Sequence, residues 1–325
     1  MRRVFQGVSF LTALLLVLIA APALAQSWPV KPVKLINDFP PGGGADILAR
    51  LVAEKLTAAL GQQVIVENRT GATGMIAAQT VAGAAPDGYT VLLYAMSMGC
   101  TSPVMPGTKI NIDPDKELMP IVIIAGVDNL LYVSPKTPFK TVKDVIDAAK
   151  AQPGKLTYAS SGVGGSYHLW AASFTSLAHI DMLHVPFRGG PPAIAEIIAG
   201  RVDMMFGNLS EIFPHIRSGA VRPIAFTSVP PSPELPGYPT VVEALPGYAV
   251  DNWFGLGLPA NTPPDIADKL NREVNKALAE PGFRTKLIAL GYQPRGGSSD
   301  DMKKTILNDR AKWKKVIEEN DIRGE

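Results

Sequence analysis

Residues 39–46 read Phe39-Pro40-Pro41-Gly42-Gly43-Gly44-Ala45-Asp46, between a short apolar run and a longer amphipathic one. Three successive glycines let the backbone turn sharply and keep side chains away from an approaching group. The run before them predicts a strand over 34–37. The run after them sets Ile47, Leu48, Leu51, Val52, Leu56 and Leu60 at three- and four-residue spacings, with Gly61 as a stop signal, and predicts a helix over 47–60. Strand, glycine turn and helix in this order form the unit of an open α/β sheet. A helix start at a strand end presents unpaired amides and a partial positive charge, and that edge is where such sheets take ligands.

The same unit recurs outward along the chain. Further strands are expected at 64–67 and 90–94 with a helix at 75–84, then a second series at 121–125, 130–133, 156–159, 182–185, 204–206 and 224–226. The Pro- and Gly-rich stretch 230–248 reads as a connecting loop rather than core. A strand at 254–258 and helices at 264–279, 281–289 and 300–320 complete the pattern, without an internal repeat. Two more glycine turns join strands to helices. One is Ser160-Ser161-Gly162-Val163-Gly164-Gly165-Ser166, ahead of His168, Leu169 and Trp170; the other is Phe187-Arg188-Gly189-Gly190-Pro191. Asp46 and Ser166 read equally well as helix caps.

The chain has 325 residues, enough for two α/β lobes. It is 46% hydrophobic and 18% charged, with 31 basic and 29 acidic residues, which excludes disorder as a description of most of it. Nothing supplies the basic surplus that a nucleic-acid binder needs. Arg2 and Arg3, an apolar segment at 10–21 and the pattern Ala23-Leu24-Ala25 predict an export signal over 1–25, cleaved after Ala25. The mature chain is then expected to be soluble and periplasmic, a monomer with 29 charges of each sign. Cys100 is the only cysteine, so no internal disulfide can form, and it is expected to be a packed residue.

Catalytic and cofactor motifs fail on spacing. Tyr167 stands where the third glycine of a dinucleotide loop belongs, no turn carries the Gly-Lys pair of a phosphate loop, and no serine is flanked by glycines in the hydrolase pattern. Ser166 and His168 lie two residues apart, so a helix points them in different directions. His168, His179, His184 and His215 show no metal-ligand spacing. No catalytic residue, metal or cofactor is expected.

Taken in order, these segments resemble a known family. They are Trp28-Pro29-x-Lys31-Pro32-Val33, the turn at 39–46, Val66-Glu67-Asn68-Arg69-x-Gly71-Ala72, Ala85-Pro86-Asp87-Gly88-Tyr89-Thr90, Tyr158-Ala159-Ser160-Ser161-Gly162-x-Gly164, Val185-Pro186-Phe187-Arg188-Gly189-Gly190, Pro214-His215-Ile216-Arg217-Ser218-Gly219 and Trp253-Phe254-Gly255. The chain resembles, end to end, the substrate-binding proteins of tripartite tricarboxylate transporters, the Bug family.

The resemblance implies a two-lobed type II periplasmic-binding-protein fold that closes on a small carboxylate, with lobe I at 26–125 and 251–325 and lobe II at 126–250. It implies ligand contacts from Pro40, Gly42, Gly43, Gly44 and Asp46 on one side, and from Ser160, Ser161, Gly162, Gly164, Ser166, His168, Arg188, Gly189 and Asn208 on the other. Met96, Ser97 and Trp253 are further candidates, though Trp253 reads equally as core and Arg188 as solvated. Gly207 stands where many relatives carry Asp, which implies a ligand without an amino group. The loop Met96-Ser97-Met98-Gly99-Cys100 implies a greasier pocket, for an aromatic or longer dicarboxylate. Membrane transporter subunits are the implied partner. An exported sensor subunit for a membrane kinase makes the same demands on sequence, and an exported hydrolase is the remaining alternative.

Overall fold

The computed structural model describes residues 28–108, 111–228, 230–248 and 250–323. The export signal and its cleavage site lie outside the described residues. Eleven strands are found among these residues: β1 (Val33–Asn37), β2 (Val64–Asn68), β3 (Thr90–Ala95), β4 (Leu118–Val127), β5 (Asn129–Val133), β6 (Thr157–Ser160), β7 (Leu183–Pro186), β8 (Met204–Asn208), β9 (Arg222–Phe226), β10 (Trp253–Pro259) and β11 (Tyr292–Gly296). The longer helices are α1 (Gly44–Leu60), α2 (Met75–Ala82), α3 (Val142–Ala151), α4 (Ser166–Ala178), α5 (Gly190–Ala199), α6 (Leu209–Arg217), α7 (Pro264–Ala279), α8 (Pro281–Ile288) and α9 (Ser299–Glu319).

The strands form two sheets, and the fold is two-lobed α/β. One sheet runs β11-β4-β10-β3-β1-β2 and the other β7-β6-β8-β5-β9. β1 is parallel to β2 and β3, while β10 lies antiparallel between β3 and β4. In the second sheet β6 pairs in parallel with β7 and β8, and β5 is antiparallel to β8 and β9. Strands covered on both faces read as continuous apolar runs, and β5 is buried along its whole length. Amphipathic helices cover the sheets. α1 turns Leu48, Val52, Leu56 and Leu60 inward, and α9 does the same with Met302, Ile306, Trp313 and Ile317. Ile47, read from spacing as part of the apolar face of α1, points outward and is 37% exposed.

Asp128 alone separates β4 in one sheet from β5 in the other. Its amide donates to Gly291 O and its carbonyl accepts from Leu209 N, so it is tied to both lobes. The chain returns through Asn252, whose carbonyl accepts from Val127 N. β11 seals this crossing from the edge of the first sheet: Gln293 donates to Asp128 Oδ1 at 2.5 Å, and Arg295 donates to both oxygens of Asp251 at 2.7 Å. The sequence patterns do not announce β11, because Pro294 and Gly296 interrupt it; an edge strand tolerates both.

The segment 230–248 also departs from expectation. It ends in the core of the second lobe, where Tyr248 is 1% exposed. The Tyr248 ring lies 5.8 Å from that of Phe206 and meets Phe174 edge-on at 6.0 Å, and its hydroxyl donates to Trp170 O at 3.2 Å. Proline and glycine punctuate this chain without excluding an aromatic anchor at its end. Tyr248→Ala is expected to cost about 3 kcal/mol or more in urea unfolding and Tyr248→Phe about 1 kcal/mol, against under about 0.5 kcal/mol for a residue on a surface loop.

Candidate ligand-binding site

Four helices begin where strands end, and their first turns come together: α1 after β1, α4 after β6, α5 after β7 and α6 after β8. Their caps are Gly43, Gly165, Gly189 and Asn208, and none makes a side-chain capping bond. The starts of α2, α7 and α8, at Gly74, Pro263 and Glu280, also lack a side-chain capping bond, whereas two other helices are closed. Thr141 with Asp144 closes the start of α3, and Ser298 with Asp301 that of α9, each as a reciprocal capping box. First-turn amides without a partner keep their donors and their share of the helix dipole for a guest, and anions suit them best, though at α6 the Leu209 amide is already given to Asp128 O.

Two of these starts are built alike. In lobe I, Asp46 is the third residue of α1 and reaches back to accept from Gly42 N at 3.0 Å. In lobe II, His168 is the third residue of α4 and its Nδ1 accepts from Gly164 N at 3.0 Å. Gly42 and Gly164 both take left-handed conformations, with φ of 80° and 74°, where a side chain would be strained. The caps that follow match too, with φ/ψ of −73°/167° at Gly43 and −71°/163° at Gly165. The third side chain therefore satisfies the amide ahead of the cap from inside the loop, and the helix's own first amides stay open.

Each tie is braced from behind. Asp46 is 2% exposed, pairs with Arg50 at 2.8 Å and accepts from Asn68 Nδ2 at 2.8 Å. Burial alone would raise its carboxyl, but the bonds from Arg50, the Gly42 amide and Asn68 outweigh it and hold the carboxyl below its ordinary range. Asn68 also donates to Phe39 O, pinning the loop twice. His168 stacks on His184 at 3.9 Å between centroids, and His184 Nε2 lies 2.6 Å from Ser160 Oγ. Burial, with the neighbouring imidazole, lowers His168 to about 4, and burial lowers His184 to about 4. Both rings are neutral at pH 7, and His168 carries its proton on Nε2 because Nδ1 is an acceptor.

These bonds sort the residues expected from sequence. The amides of Gly42, Gly162, Gly164 and Gly189 are spent within the protein, on Asp46, Ser160 Oγ, His168 and the carbonyls of Ser161 and Phe187. Gly43 N reaches Pro40 O at 3.3 Å, and Pro40 is exposed at the loop tip. Asp46, Ser160 and His168 hold the loops in shape. Ser161 and Ser166 are half-buried, with hydroxyls that make no hydrogen bond among the described residues. Gly44, at the mouth of α1, offers its amide beside Ala45. Arg188 is exposed and makes no ion pair among the described residues.

Three further sets of candidates are buried, and for Trp253 the core reading is the one the fold favours. Trp253 is fully buried, stacked on Tyr94 at 6.2 Å, with Nε1 donating to Asp309 at 2.8 Å; it is a core residue of lobe I and not a cleft wall. Met96 and Ser97 are buried, and the segment after Met96 winds into a π-helical turn at Ser97–Thr101 packed beneath α9, where Cys100 Sγ lies 3.6 Å from Ile306 O. These residues therefore do not line a greasy pocket. Asn208 is 5% exposed, and its side-chain oxygen accepts from Asn252 at 3.4 Å rather than capping α6.

Contacts across the lobes fall on residues that local pattern did not mark. A Cβ on Gly44 would stand 2.5 Å from Ser210 Oγ of α6, and one on Gly164 would stand 3.1 Å from Met105 Cε. Tyr292 of β11 donates to Gly44 O at 2.6 Å. A Cβ on Gly207 would meet Tyr132 at 3.1 Å, so the phenol fills the space that an acid at 207 would need. The one legible signal was Gly-Gly-small-x-acceptor, found at both 42–46 and 164–168. A separate cavity of about 330 Å³, lined by Leu118, Met119, Ala260 and Ile306, opens beside the start at Pro114, which Asp113 already caps. No group of three or more His, Cys, Asp or Glu suited to a metal is found among the described residues, and no helix there is long and apolar enough to cross a membrane.

The buried ionisable groups set opposite pH limits. His168 and His184 fall from an ordinary 6.5 to about 4, so the unfolded chain binds more protons between those values and stability is lost as pH falls through that window. Asp38, buried behind the first loop with Oδ1 unpartnered, is raised by burial from 3.8 to about 8, so it withdraws stability as pH rises through that range. Calorimetry is expected to show Tm falling from pH 6.5 to pH 4, and Asp38→Asn raising Tm by several degrees at pH 8 but not at pH 4.

Comparison with known proteins agrees with this geometry. Residues 48–322 match the family model described as "Tripartite tricarboxylate transporter family receptor". Among solved structures, Rpa4515 of R. palustris, determined with adipate, superposes with a TM-score of 0.86 at 34% identity over 91% of this chain and 99% of that one. The periplasmic binding protein BugD gives 0.82 at 28% identity, covering 92% and 100%. MatC (Rpa3494) of Rhodopseudomonas palustris, with bound malate, gives 0.81 at 30% identity, covering 89% and 100%. The chain belongs to the tripartite tricarboxylate transporter receptor family, the solute-binding proteins of the TctC or Bug type.

Proposed function

We propose that this protein captures a small dicarboxylate or aromatic carboxylate between its lobes and delivers it to the membrane subunits of a tripartite tricarboxylate-type transporter. It works in the periplasm as a monomer after loss of residues 1–25. The observation that supports this reading is that four helix starts from both lobes come together, Gly44 of α1 against Ser210 of α6, and Tyr167 of α4 and Gly190 of α5 against Glu211. Adipate and malate in two relatives are acids of the size such a cradle takes.

The grip works through backbone amides of 44–46 on one side and the starts of α4, α5 and α6 on the other, with Ser161 and Ser166 hydroxyls and Arg188 adding donors. Charge-assisted bonds to a carboxylate are worth more than neutral ones, and fixed amides cost little reorganisation. A ligand that touches both halves favours the closed form by its differential affinity, and a membrane partner then distinguishes loaded from empty protein. Lobe I of 26–125 and 251–325 rotates against lobe II of 126–250 about the crossings at Asp128 and Asn252.

A hydrolase finds weak support. Ser160 and His184 are within hydrogen-bond reach, but Ser160 is fully buried and a base lowered to about 4 accepts a proton poorly at pH 7.

The test is a thermal-shift and calorimetric titration of residues 26–325 with adipate, malate, phthalate, aspartate and glutamate. At least one acid is expected to raise Tm, because a ligand that binds only the folded state stabilises it by mass action. The absence of a shift with every acid rejects the reading. Gly44→Ala, which sets a methyl against Ser210 and over the first amides of α1, is expected to weaken that acid about tenfold or more while the free protein still melts cooperatively.

A further inference from the structure

Glu211 stands where three helix starts meet. It is the third residue of α6, and its Oε2 accepts from the hydroxyl of Tyr167, in the first turn of α4, at 2.9 Å. A Cβ on Gly190, the first residue of α5, would stand 2.6 Å from the same oxygen. Ser210, one residue earlier, is the side chain that meets Gly44 across the lobes. The acid is therefore set into the lobe II wall, next to the point where the halves touch.

Its surroundings hold hydroxyls and no cation. The titratable groups that sense its charge are Tyr132 from β5, Tyr167 from α4 and Tyr292 from β11, and it makes no ion pair with Lys, Arg or His among the described residues. Tyr132 Oη and Ser210 Oγ are buried without partners beside it. Burial raises the Glu211 carboxyl above its ordinary range, against the bond from Tyr167.

We infer that Glu211 is the specificity-determining residue of the cleft: it recognises the second carboxylate of a dicarboxylate by donating an O–H to it, taking up one proton from solvent as the ligand binds. The inference rests on the reading of this protein as a dicarboxylate receptor. Two carboxylates a few ångströms apart in a wall without a cation cannot both stay ionised, and one shared proton turns repulsion into a hydrogen bond. The proton returns to solvent when the acid leaves, and no bond in the ligand changes. A monocarboxylate places only methyl or methylene groups there and takes up no proton; an ammonium would instead keep Glu211 ionised.

Isothermal titration calorimetry at pH 7 and pH 8, each in two buffers of different ionisation enthalpy, measures the proton count directly. Adipate and hexanoate are titrated into the wild type and into Glu211→Gln, whose amide still accepts from Tyr167. Adipate is expected to take up close to one proton on the wild type, with affinity falling up to tenfold per pH unit, and none on Glu211→Gln, with affinity flat. Hexanoate is expected to take up none on either. Adipate binding to the wild type without proton uptake, or with equal uptake on Glu211→Gln, overturns the inference while leaving the receptor reading intact. Tight binding of aspartate or glutamate that Glu211→Gln abolishes overturns it too, since Glu211 then serves an ammonium. Failure of both proteins to bind adipate or malate at any pH rejects the dicarboxylate reading beneath it.

Discussion

A side chain on the third residue of a helix that bonds back to the amide ahead of the cap is the interaction on which this molecule depends. Asp46 does it for α1 and His168 for α4. In the usual capping box the third residue bonds to the cap's own amide and the cap bonds to the third, which closes the helix start. Here glycine is the cap, the bond falls one residue earlier, and the start is left open. The loop keeps its shape without spending the donors a ligand needs, and the scaffold around it serves to make that shape rigid.

The two ties have different chemistry for the same geometry. Asp46 is a charge, and it holds only because Arg50, Asn68 and the Gly42 amide together exceed the cost of its burial. His168 is neutral, stacked with His184 and Tyr158, and lobe II gains its loop without a buried ion pair. An anion between the lobes therefore meets helix dipoles, amides and hydroxyls more than fixed cations. A site of that kind accommodates an acid in a chain whose overall charge is close to balanced, because the positive potential comes from backbone orientation rather than from lysines and arginines.

The chain crossings and the start of α1 are joined by β11. Tyr292 touches the carbonyl of Gly44, Gln293 holds Asp128 at one crossing, and Arg295 holds Asp251 beside the other. Three residues of one edge strand thus connect the first turn of α1 to both chain crossings.

Most of the architecture was legible because it follows from short-range rules. Alternating apolar runs and helical spacings located ten of the eleven strands and the long helices, and glycine turns marked the loops between strand ends and helix starts, since backbone freedom is a property of the residue itself. The failures share one cause. Trp253 was left open between core and cleft, and Met96 and Tyr248 were not read as core, because burial depends on what packs against a side chain, and Asp309, α9 and Phe206 come from distant parts of the chain. Asp46 and His168 lie at the right loops in the sequence, but only the fold shows that their acceptors turn inward. The sequence by itself determined where the chain can turn; the tertiary structure alone decided which helix starts lack a cap and which polar groups are already satisfied, because hydrogen-bond partners are chosen by distance in space and not by distance along the chain.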